Sequence, residues 1–441
     1  MNSNLNDIAA DSLVNLIRPN EGRVSRQIFS DPDIYRLELE RIFSRTWAYI
    51  GHESELKSPG DFLTNTIGED PVIASRDAKG DIHVMLNACS HRGRMVCPVD
   101  RGNARSFTCA YHGWTYASDG SLAGVPRADT VYHGELDRSK FGLRKVPRVE
   151  THNGLIFANW DADAMPLKEF LGDDLLWYMD LPFKGALGEL EVVGPVMKYR
   201  IKTNWKIASE NFAGDDYHVL HTHRSGFEIG FLPDYDTLGD YIAYFGHGHG
   251  MGDIPKPGRA LQNDLGLAQF IGPEAVDYVN QYQARLKAVA SPEQASVHGL
   301  GEGNIFPNCS WIKFGCFHVL GLFQWHPKGP NEVEVRQTVF FDTVAPQVVK
   351  DFARSHMSQE NSAAGIFGQD DGENFEQITA SAHGFIASHQ EFDYTMGLGH
   401  EGEIQEPGYR GQLGPHFSEQ NHRNYYRYYL ELMTNAGLSD G

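Results

Sequence analysis

Residues 61–160 have the alternating pattern of hydrophobic and polar positions that is typical of β-strands. Between Asp61 and Trp160, short β-rich runs at residues 71–75, 82–86 and 154–160 are separated by turns that contain glycine. Half-buried strands repeat every two residues, and tight turns favour glycine. The pattern therefore predicts a small antiparallel β domain.

Helical spacing is found on both sides of this segment. It predicts a helix from about Pro32 to Trp47, with Asp31 as its N-cap. Further along the chain, helical spacing covers residues 204–218, and residues 310–341 are typical of strands with a turn at residues 327–331. Later helices are predicted at residues 346–357 and 373–381 and from Ser418 onwards, where Tyr425, Tyr429, Leu432 and Met433 share one face.

Together these elements predict an α+β fold with two domains, because segregated strands and helices pack as antiparallel sheets flanked by helices. We expect an N-terminal arm and helix at residues 1–48 that pack with the larger, C-terminal domain, and a small β domain at residues 49–160. A larger domain with an antiparallel sheet is expected at residues 161–441. Residues 1–30 are expected to form a loosely anchored arm.

Composition excludes several classes of protein. The formal net charge of −20 argues against a nucleic-acid partner, because phosphate binding needs clustered Lys and Arg. No run of about 18 apolar residues predicts a membrane span, and the N-terminal residues have no signal-peptide pattern. Five cysteines in 441 residues do not form a disulfide framework, so the expected location is the cytoplasm.

Three of the five cysteines lie in the predicted β domain, and two of them begin paired motifs. Cys89 and His91 form a C-x-H pair, and Cys109 and His112 form a C-x-x-H pair. Two thiolates and two imidazoles are the ligands of a Rieske-type [2Fe–2S] cluster, and zinc is the competing metal. Each loop carries one Cys and one His, which favours the iron–sulfur cluster; Cys97, between the pairs, is interpreted as a core thiol.

A second set of metal-binding residue types lies in NWKIASENFAGDDYHVLHTH, residues 204–223. Non-haem Fe(II) oxygenases hold iron with two His and one carboxylate, which leaves coordination positions open for oxygen. Spacing alone makes His218 and His221 a natural pair on one helix face, and it admits His223 if the helix ends near residue 220. The carboxylate is expected from residues 365–377, where spacing does not choose between Asp370 and Asp371.

The sequence resembles the large (α) subunit of ring-hydroxylating Rieske non-haem iron dioxygenases, nearest the biphenyl, toluene and polycyclic-aromatic members. The resemblance covers almost the whole chain. It rests on LELERIFSRTW, CSHRG, CAYHGWTY, GLIFANW, NWKIASENFAGDDYHVLHTH, NIFPNCS, WHPKGPNEVEV and GQDDGEN.

The resemblance implies a role for each motif residue. Cys89 and Cys109 would bind the inner iron of the cluster, and His91 and His112 the outer iron. A facial triad on mononuclear Fe(II) would be formed by His218, His223 and Asp371. Asp215 would be the bridging aspartate, accepting hydrogen bonds from His218 of its own subunit and His112 of a neighbour. His221 departs from the family pattern.

The resemblance also implies an assembly and a reaction. The assembly would be a head-to-tail homotrimer of α subunits, with a small β subunit as α3β3. Electrons from NAD(P)H would arrive through a separate reductase and a ferredoxin. No nucleotide-binding G-x-G-x-x-G follows a strand here, so this chain is not expected to bind the nicotinamide itself. The reaction would be cis-dihydroxylation of an aromatic ring with O2.

Pocket composition favours an uncharged aromatic hydrocarbon as substrate. Phe212, Val219, Phe306 and Phe367 are predicted pocket walls, and the segments around them carry little Arg or Lys. Arg224 is the exception that keeps an aromatic carboxylate open as the alternative, beside a Rieske monooxygenase or demethylase. The stretch GHGHGMGD, residues 246–253, is expected to form a mobile loop over the entrance.

Overall fold

A computed structural model describes residues 10–185, 187–229, 239–257, 264–298, 300–314 and 319–434. The described chain divides into two compact units. One contains residues 43–167, and the other contains residues 10–42 together with residues 168–434. The sequence predicts these boundaries near residues 48 and 160.

Strands and helices alternate in blocks along the described residues. The strands are β1 Ile17–Arg18, β2 Arg23–Ser25, β3 Ala48–His52, β4 Asp61–Ile67, β5 Asp70–Arg76, β6 Ile82–Leu86, β7 Arg101–Asn103, β8 Ser106–Thr108, β9 Thr115–Ala117, β10 Leu122–Gly124, β11 Arg148–His152, β12 Leu155–Asn159, β13 Leu190–Val192, β14 Met197–Ile201, β15 Tyr241–Tyr244, β16 Gly250–Ile254, β17 Leu300–Ile305, β18 Cys309–Phe314, β19 Val319–Pro327, β20 Val333–Asp342, β21 Glu391–Asp393 and β22 Gln412–Pro415. The helices are α1 Ala10–Leu16, α2 Pro32–Glu38, α3 Ala128–Val131, α4 Leu167–Lys184 (broken at Gly172), α5 Trp205–Asn211, α6 Val219–Thr222, α7 Arg224–Glu228, α8 Asp264–Ile271, α9 Pro273–Val289, α10 Pro292–Val297, α11 Gln347–Asn361, α12 Gly368–Ala382 and α13 Gln420–Thr434. None of these helices is long and apolar enough to cross a lipid bilayer.

The unit of residues 43–167 is built from three small antiparallel sheets. Their strand orders are β6-β5-β4-β7, β11-β12-β3 and β10-β9-β8. One of its cores joins Ile73 and Met85 of the first sheet to Tyr116 and Leu122 of the third, and it includes the side chains of the three cysteines in this unit. The two metal-binding motifs are therefore attached to a packed core and not to free loops.

The other unit is organised around a nine-stranded antiparallel sheet. Its strand order is β13-β20-β19-β18-β17-β16-β15-β22, and β14 also pairs with β20. The predicted strands at residues 310–341 are β18, β19 and β20 at the middle of this sheet, and the predicted turn separates β19 from β20. Helices α11, α12 and α13 follow in sequence, as α+β architecture predicts.

The N-terminal segment differs from its prediction. Strands β1 and β2 pair with each other and β2 pairs with β21, and Leu13 is fully buried. The expectation of a loosely anchored arm is therefore wrong for residues 10–30, because backbone pairing and apolar burial fix them; residues 1–9 lie outside the described part. The predicted helix after Asp31 begins as expected, with the Asp31 carboxylate accepting from the amides of Asp33 and Ile34. It ends earlier than Trp47, passing into a π-helical turn at Leu39–Phe43.

The predicted helix over residues 204–218 is also shorter than expected. Helix α5 ends at Asn211, and Gly214 has a φ of +121°, a conformation that side chains with a Cβ rarely adopt. A Cβ at Gly214 would lie 2.5 Å from the side-chain nitrogen of Asn421, so the chain turns here where only glycine fits. The residues after Gly214 therefore do not continue along the axis of α5.

Candidate metal centres and substrate pocket

Two turns of the same geometry hold the paired motifs of residues 89–112. The carbonyl of Cys89 accepts from the amide of Gly93 at 2.8 Å, and that of Cys109 accepts from Gly113 at 2.9 Å. Both glycines lie in the left-handed region, with φ of +69° and +73°. The two motifs thus form turns of the same conformation, and each turn carries one thiol and one imidazole.

The four donor side chains of these turns lie together. Cys89 and Cys109 are buried at the base of the turns, and the ring centroids of His91 and His112 are 4.5 Å apart. The ring of His91 stacks on Trp114 at 4.9 Å, which fixes its plane. Among the described residues, Nδ1 of His91 is buried without a hydrogen-bond partner. Two sulfurs and two ring nitrogens, one of them lacking a partner, fit a [2Fe–2S] cluster held by two Cys and two His.

Tyr116 supports the first turn, and the sequence did not single it out. Its hydroxyl accepts from the amide of Ser90 at 3.0 Å and lies 3.1 Å from the sulfur of Cys89. Burial raises the pKa of the Cys89 thiol, but Tyr116 and the backbone amide of His91 more than offset this and lower it.

Cys97 is buried with its sulfur 3.6 Å from a backbone carbonyl, as a core thiol would be.

The second donor set is assembled from two distant segments of the larger unit. His218 precedes α6, His223 lies between α6 and α7, and Asp371 is in the first turn of α12. Oδ1 of Asp371 lies 3.2 Å from Nε2 of His223 and 3.5 Å from Nε2 of His218. This oxygen is buried and, within the described chain, has no hydrogen-bond partner. Two imidazoles and one carboxylate converging in this way fit a mononuclear iron.

The structure distinguishes the residues that spacing left open. The carboxylate of Asp370 lies 3.7 Å from Nδ1 of His223, on the ring edge away from the converging atoms, whereas Asp371 reaches Nε2 of both histidines. His221 is exposed and does not belong to the group. His218 and His221 are therefore not the metal-facing pair, because the chain breaks after α5 and turns again at residue 223.

Hydrogen bonds to the far edge of His218 set its tautomer. Its Nδ1 donates to the backbone carbonyl of Asp215, whose carboxylate lies 3.9 Å away. Nε2 is therefore the ring nitrogen that faces Asp371, and a bound cation would take the place of its proton. Burial lowers the pKa of His218, but Asp371 and Asp215 outweigh it and raise the pKa to about 10. Burial raises the pKa of Asp371, and the two imidazoles lower it to about 2. The site thus keeps an anionic carboxylate, as a divalent cation requires.

A pocket opens beside these three side chains. Its lining consists of Asn211, Phe212, His218, Val219, His223, Asp253, Glu302, Ile312, Asn361, Phe367 and Asp371. Three of the predicted wall residues are present, but Phe306 is not, because it packs against Trp205 and Tyr425 in the core. Arg224 is exposed and pairs with Glu228 at 2.7 Å, so it does not line the pocket. Of the described lining residues, none is Arg or Lys.

Comparison with known proteins identifies two families in this chain. The family model "Ring hydroxylating alpha subunit (catalytic domain)" matches residues 188–435, and the model "Rieske [2Fe-2S] domain" matches residues 46–146. The chain belongs to the ring-hydroxylating α-subunit family. It is an enzyme of the Rieske non-haem iron oxygenases, with a [2Fe–2S] cluster and a mononuclear iron, so the predicted family, α+β fold and cofactors are confirmed.

Several relatives of this α subunit match over nearly their full length. Biphenyl 2,3-dioxygenase subunit alpha of Rhodococcus jostii (strain RHA1) is 38% identical over 96% of this chain and 91% of its own. Chlorobenzene dioxygenase subunit alpha of Cupriavidus sp. (strain PS12) is 39% identical over 94% and 92%. The solved structure of naphthalene 1,2-dioxygenase from Rhodococcus sp. bound to indole matches with a TM-score of 0.85 and 33% identity, covering 98% of this chain and 100% of that one. The α subunit is thus the terminal oxygenase component of a multicomponent dioxygenase system.

The glycine-rich stretch of the α subunit is not the mobile loop expected from its sequence. Residues 246–248 form a short turn between β15 and β16, which lie inside the large sheet. His249 is fully buried; its Nε2 donates to the carbonyl of Phe170, and its Nδ1 accepts from the amide of Phe306. Both ring nitrogens have partners, so the expectation is wrong, because buried hydrogen bonds and strand pairing hold the segment.

A second acidic cluster lies next to the pocket and was missed from the sequence. Nε2 of His416 lies 3.1 Å from the carboxylate of Asp216 and 3.0 Å from that of Asp253. Burial lowers the pKa of His416, but the two carboxylates raise it to about 10, and burial and Asp253 raise the pKa of Asp216 to about 6. We interpret this as a buried ion cluster in which one imidazolium forms ion pairs with two carboxylates. The three residues are far apart in sequence, so no local motif could have indicated it.

Proposed function

We propose that this α subunit catalyses the O2- and electron-dependent cis-dihydroxylation of an uncharged aromatic ring. The proposal rests on one observation: the donors of His218, His223 and Asp371 converge beside a pocket that contains Phe212 and Phe367 and lacks Arg and Lys among its described lining residues. An aromatic carboxylate would need a cation in this lining. The named substrates of the relatives, biphenyl and chlorobenzene, are uncharged aromatics.

Each donor residue has a proposed part in this reaction. Cys89, His91, Cys109 and His112 would hold the [2Fe–2S] cluster, and His218, His223 and Asp371 would hold the mononuclear iron, which when bound activates O2 with electrons from the cluster. The backbone carbonyl of Asp215 keeps a proton on Nδ1 of His218, so Nε2 stays available to the metal. The apolar walls seat the ring and exclude water from the reacting face.

The proposed assembly is a homotrimer of α subunits, with a small β subunit as α3β3, in the cytoplasm. Electrons would pass from NAD(P)H through a reductase and a ferredoxin to the cluster of one subunit. They would then reach the mononuclear iron of a neighbour through Asp215, whose carboxylate lies beside His218. The support for this arrangement is the family resemblance, and Asp215 is one-third exposed, which leaves it accessible to a neighbouring chain.

Product analysis with labelled oxygen tests the proposed reaction. The purified oxygenase is supplied with reduced electron donors, ¹⁸O2 and biphenyl or naphthalene. Two labelled oxygens on adjacent ring carbons are expected in the product. One labelled oxygen would instead indicate a monooxygenase, and turnover of benzoate or phthalate in preference to hydrocarbons would contradict the substrate class.

A count of iron tests the cofactor ligands independently of turnover. About three iron atoms per chain are expected, two in the cluster and one mononuclear. The Asp371→Ala variant should retain about two and keep the visible absorption of the cluster. Loss of that absorption in Asp371→Ala would show that the assignment of two separate centres is wrong.

A further inference from the structure

The substrate pocket has one polar wall that the proposed reaction of a hydrocarbon does not use. Glu302 lies in the middle of β17, paired with Ile312 of β18 on one side and Gly252 of β16 on the other. Directly opposite residues of an antiparallel pair point to the same face, and Ile312 also lines the pocket. The Glu302 side chain therefore belongs to the same face of the sheet as the pocket wall.

The carboxyl group of Glu302 is buried and incompletely satisfied. The residue is 9% exposed, and its Oε1 has no hydrogen-bond partner among the described residues. Among the described residues, no basic side chain forms an ion pair with Glu302; His218 acts on it through its charge alone. Buried polar atoms in folded proteins nearly always have partners, so an exception in a binding pocket indicates that a ligand supplies one.

The lining of the pocket contains a second buried polar group without a described partner. Asn361, at the end of α11, is 7% exposed, and its Nδ2 also has no partner within the described chain. The pocket thus offers an acceptor at Glu302 and a donor at Asn361 between apolar walls. A plain hydrocarbon would leave both unsatisfied.

We propose that Glu302 is a specificity-determining residue that accepts a hydrogen bond from an N–H or O–H group of the substrate. The preferred substrates are then uncharged aromatic rings that carry an amino, hydroxyl or ring N–H group. This inference rests on the proposed function and narrows its substrate class.

The recognition does not depend on the protonation state of Glu302. A carboxylate accepts through both oxygens, and a protonated carboxyl group still accepts through its carbonyl oxygen. The last side-chain torsion of Glu is broad and roughly two-fold, so the carboxyl group can turn either oxygen towards the pocket. Substrates that bear a carboxylate are disfavoured in both states, because Asp253 and Glu302 line the pocket and the described lining contains no Arg or Lys.

Competition between matched substrates tests this proposal. Indole and indene differ at one ring position, N–H against CH2, as do 2-hydroxybiphenyl and 2-methylbiphenyl in their substituent. The holoenzyme with its electron donors should show a kcat/KM at least about tenfold higher for the donor-bearing member of each pair, because a site built to form a hydrogen bond rejects the analogue that lacks it.

Two variants of Glu302 separate recognition from folding. Glu302→Leu removes both oxygens and should abolish or reverse the preference, whereas Glu302→Gln keeps a carbonyl oxygen and should retain it to within a few-fold. The matched control is Glu274→Leu on the exposed surface of α9, which should behave as wild type. Iron content and cluster absorption establish that each variant is assembled. A wild-type enzyme without preference, or a Glu302→Leu variant with the wild-type preference, overturns the proposal.

Binding measurements distinguish failure of this inference from failure of the proposed function. If neither member of a pair is oxygenated while iron and cluster are present, the proposed reaction fails. Dissociation constants of indole and indene for wild type and Glu302→Leu then decide the role of Glu302. At least about tenfold tighter binding of indole that is lost in the variant supports it, and equal binding overturns it.

Discussion

At the scale of single residues, the mononuclear site depends on which nitrogen of each imidazole is available. Nδ1 of His218 is engaged by the carbonyl of Asp215, and Nδ1 of His223 faces Asp370. Both Nε2 atoms are therefore directed to Asp371. His221, two residues before His223, has the same chemistry but is exposed. Position in the tertiary structure, and not residue type, separates the converging imidazoles from His221.

The pair His221 and His223 provides a matched test at this scale. His223→Ala should lose the mononuclear iron and all dihydroxylation, because the remaining two donors do not form a facial triad. His221→Ala should retain both, since an exposed side chain outside the group contributes nothing to binding. Iron content and product formation are measured for each variant. If His221→Ala also lost iron, the triad would have to be reassigned.

At the scale of elements, one buried carboxylate joins three helices of the larger unit. Glu38, at the end of α2, is fully buried and accepts from Trp205 at 2.7 Å, from Lys206 at 2.5 Å and from Tyr429 at 2.6 Å. The first two donors lie in α5, and Tyr429 lies in α13. This cluster holds α5 in place, and α5 leads directly into the segment that carries His218.

Removal of the cation from this cluster should destabilise the protein. Lys206→Met leaves the carboxylate of Glu38 buried without its charge partner, and we expect a loss of about 3–5 kcal/mol in the free energy of unfolding. The exposed Lys202→Met should change it by less than about 0.5 kcal/mol. Urea denaturation of the two variants measures the difference. A Lys206→Met/Glu38→Gln double variant should recover part of the loss, and equal midpoints for both single variants would contradict the expectation.

The His416 cluster should make stability depend on pH in a defined direction. The pKa of the His416 imidazole is raised from about 6.5 to about 10 in the folded state, so the folded protein binds this proton more tightly than the unfolded chain does. The stabilisation is fully present below about pH 6.5 and is lost as the pH rises towards 10. Compared with His416→Gln, wild type should be more stable by about 3 kcal/mol at pH 6, falling to about 1 kcal/mol at pH 9.

Chemical denaturation of both proteins at the two pH values measures this difference. The comparison cancels contributions from titrating groups that do not interact with the His416 cluster, because they are common to both proteins. A difference that stayed constant between pH 6 and pH 9 would show that folding does not raise the pKa of His416.

At the scale of the whole molecule, the two metal sets lie in separate compact units of one chain. The cluster motifs belong to residues 43–167, and the mononuclear triad belongs to the unit that contains residues 168–434. If electrons pass between neighbouring copies, the cluster and the mononuclear iron that act together belong to two different chains.

Complementation between inactive subunits tests this arrangement. Cys89→Ser should lack the cluster, and Asp371→Ala should lack the mononuclear iron, so each is inactive alone. Co-expressed in one assembly, they should recover a measurable fraction of wild-type dihydroxylation, because the cluster of one chain can serve the iron of the other. The two proteins purified separately and mixed without subunit exchange are the control. No recovery in co-purified mixed assemblies would indicate electron transfer within each chain.

Several features of this protein were predictable because their causes are local. The spacing of Cys89 with His91 and of Cys109 with His112 follows from two short turns, each closed by a glycine with positive φ. The strands at residues 310–341 were predictable from alternation. The shorter α5 was not, because the chain breaks where Gly214 approaches Asn421, a residue distant in sequence.

By itself the sequence determined the α+β class, the two segments rich in metal-binding residue types and the likeness to the ring-hydroxylating α subunits, since residue types, short spacings and long motifs carry that information. Only the tertiary structure decided that Asp371 and not Asp370 meets Nε2 of both histidines, and that His221 faces solvent. It alone revealed Glu302 in the pocket wall and the cluster around His416. These features depend on distances between segments remote in sequence, which are set by sheet register and helix packing and leave no trace in local spacing.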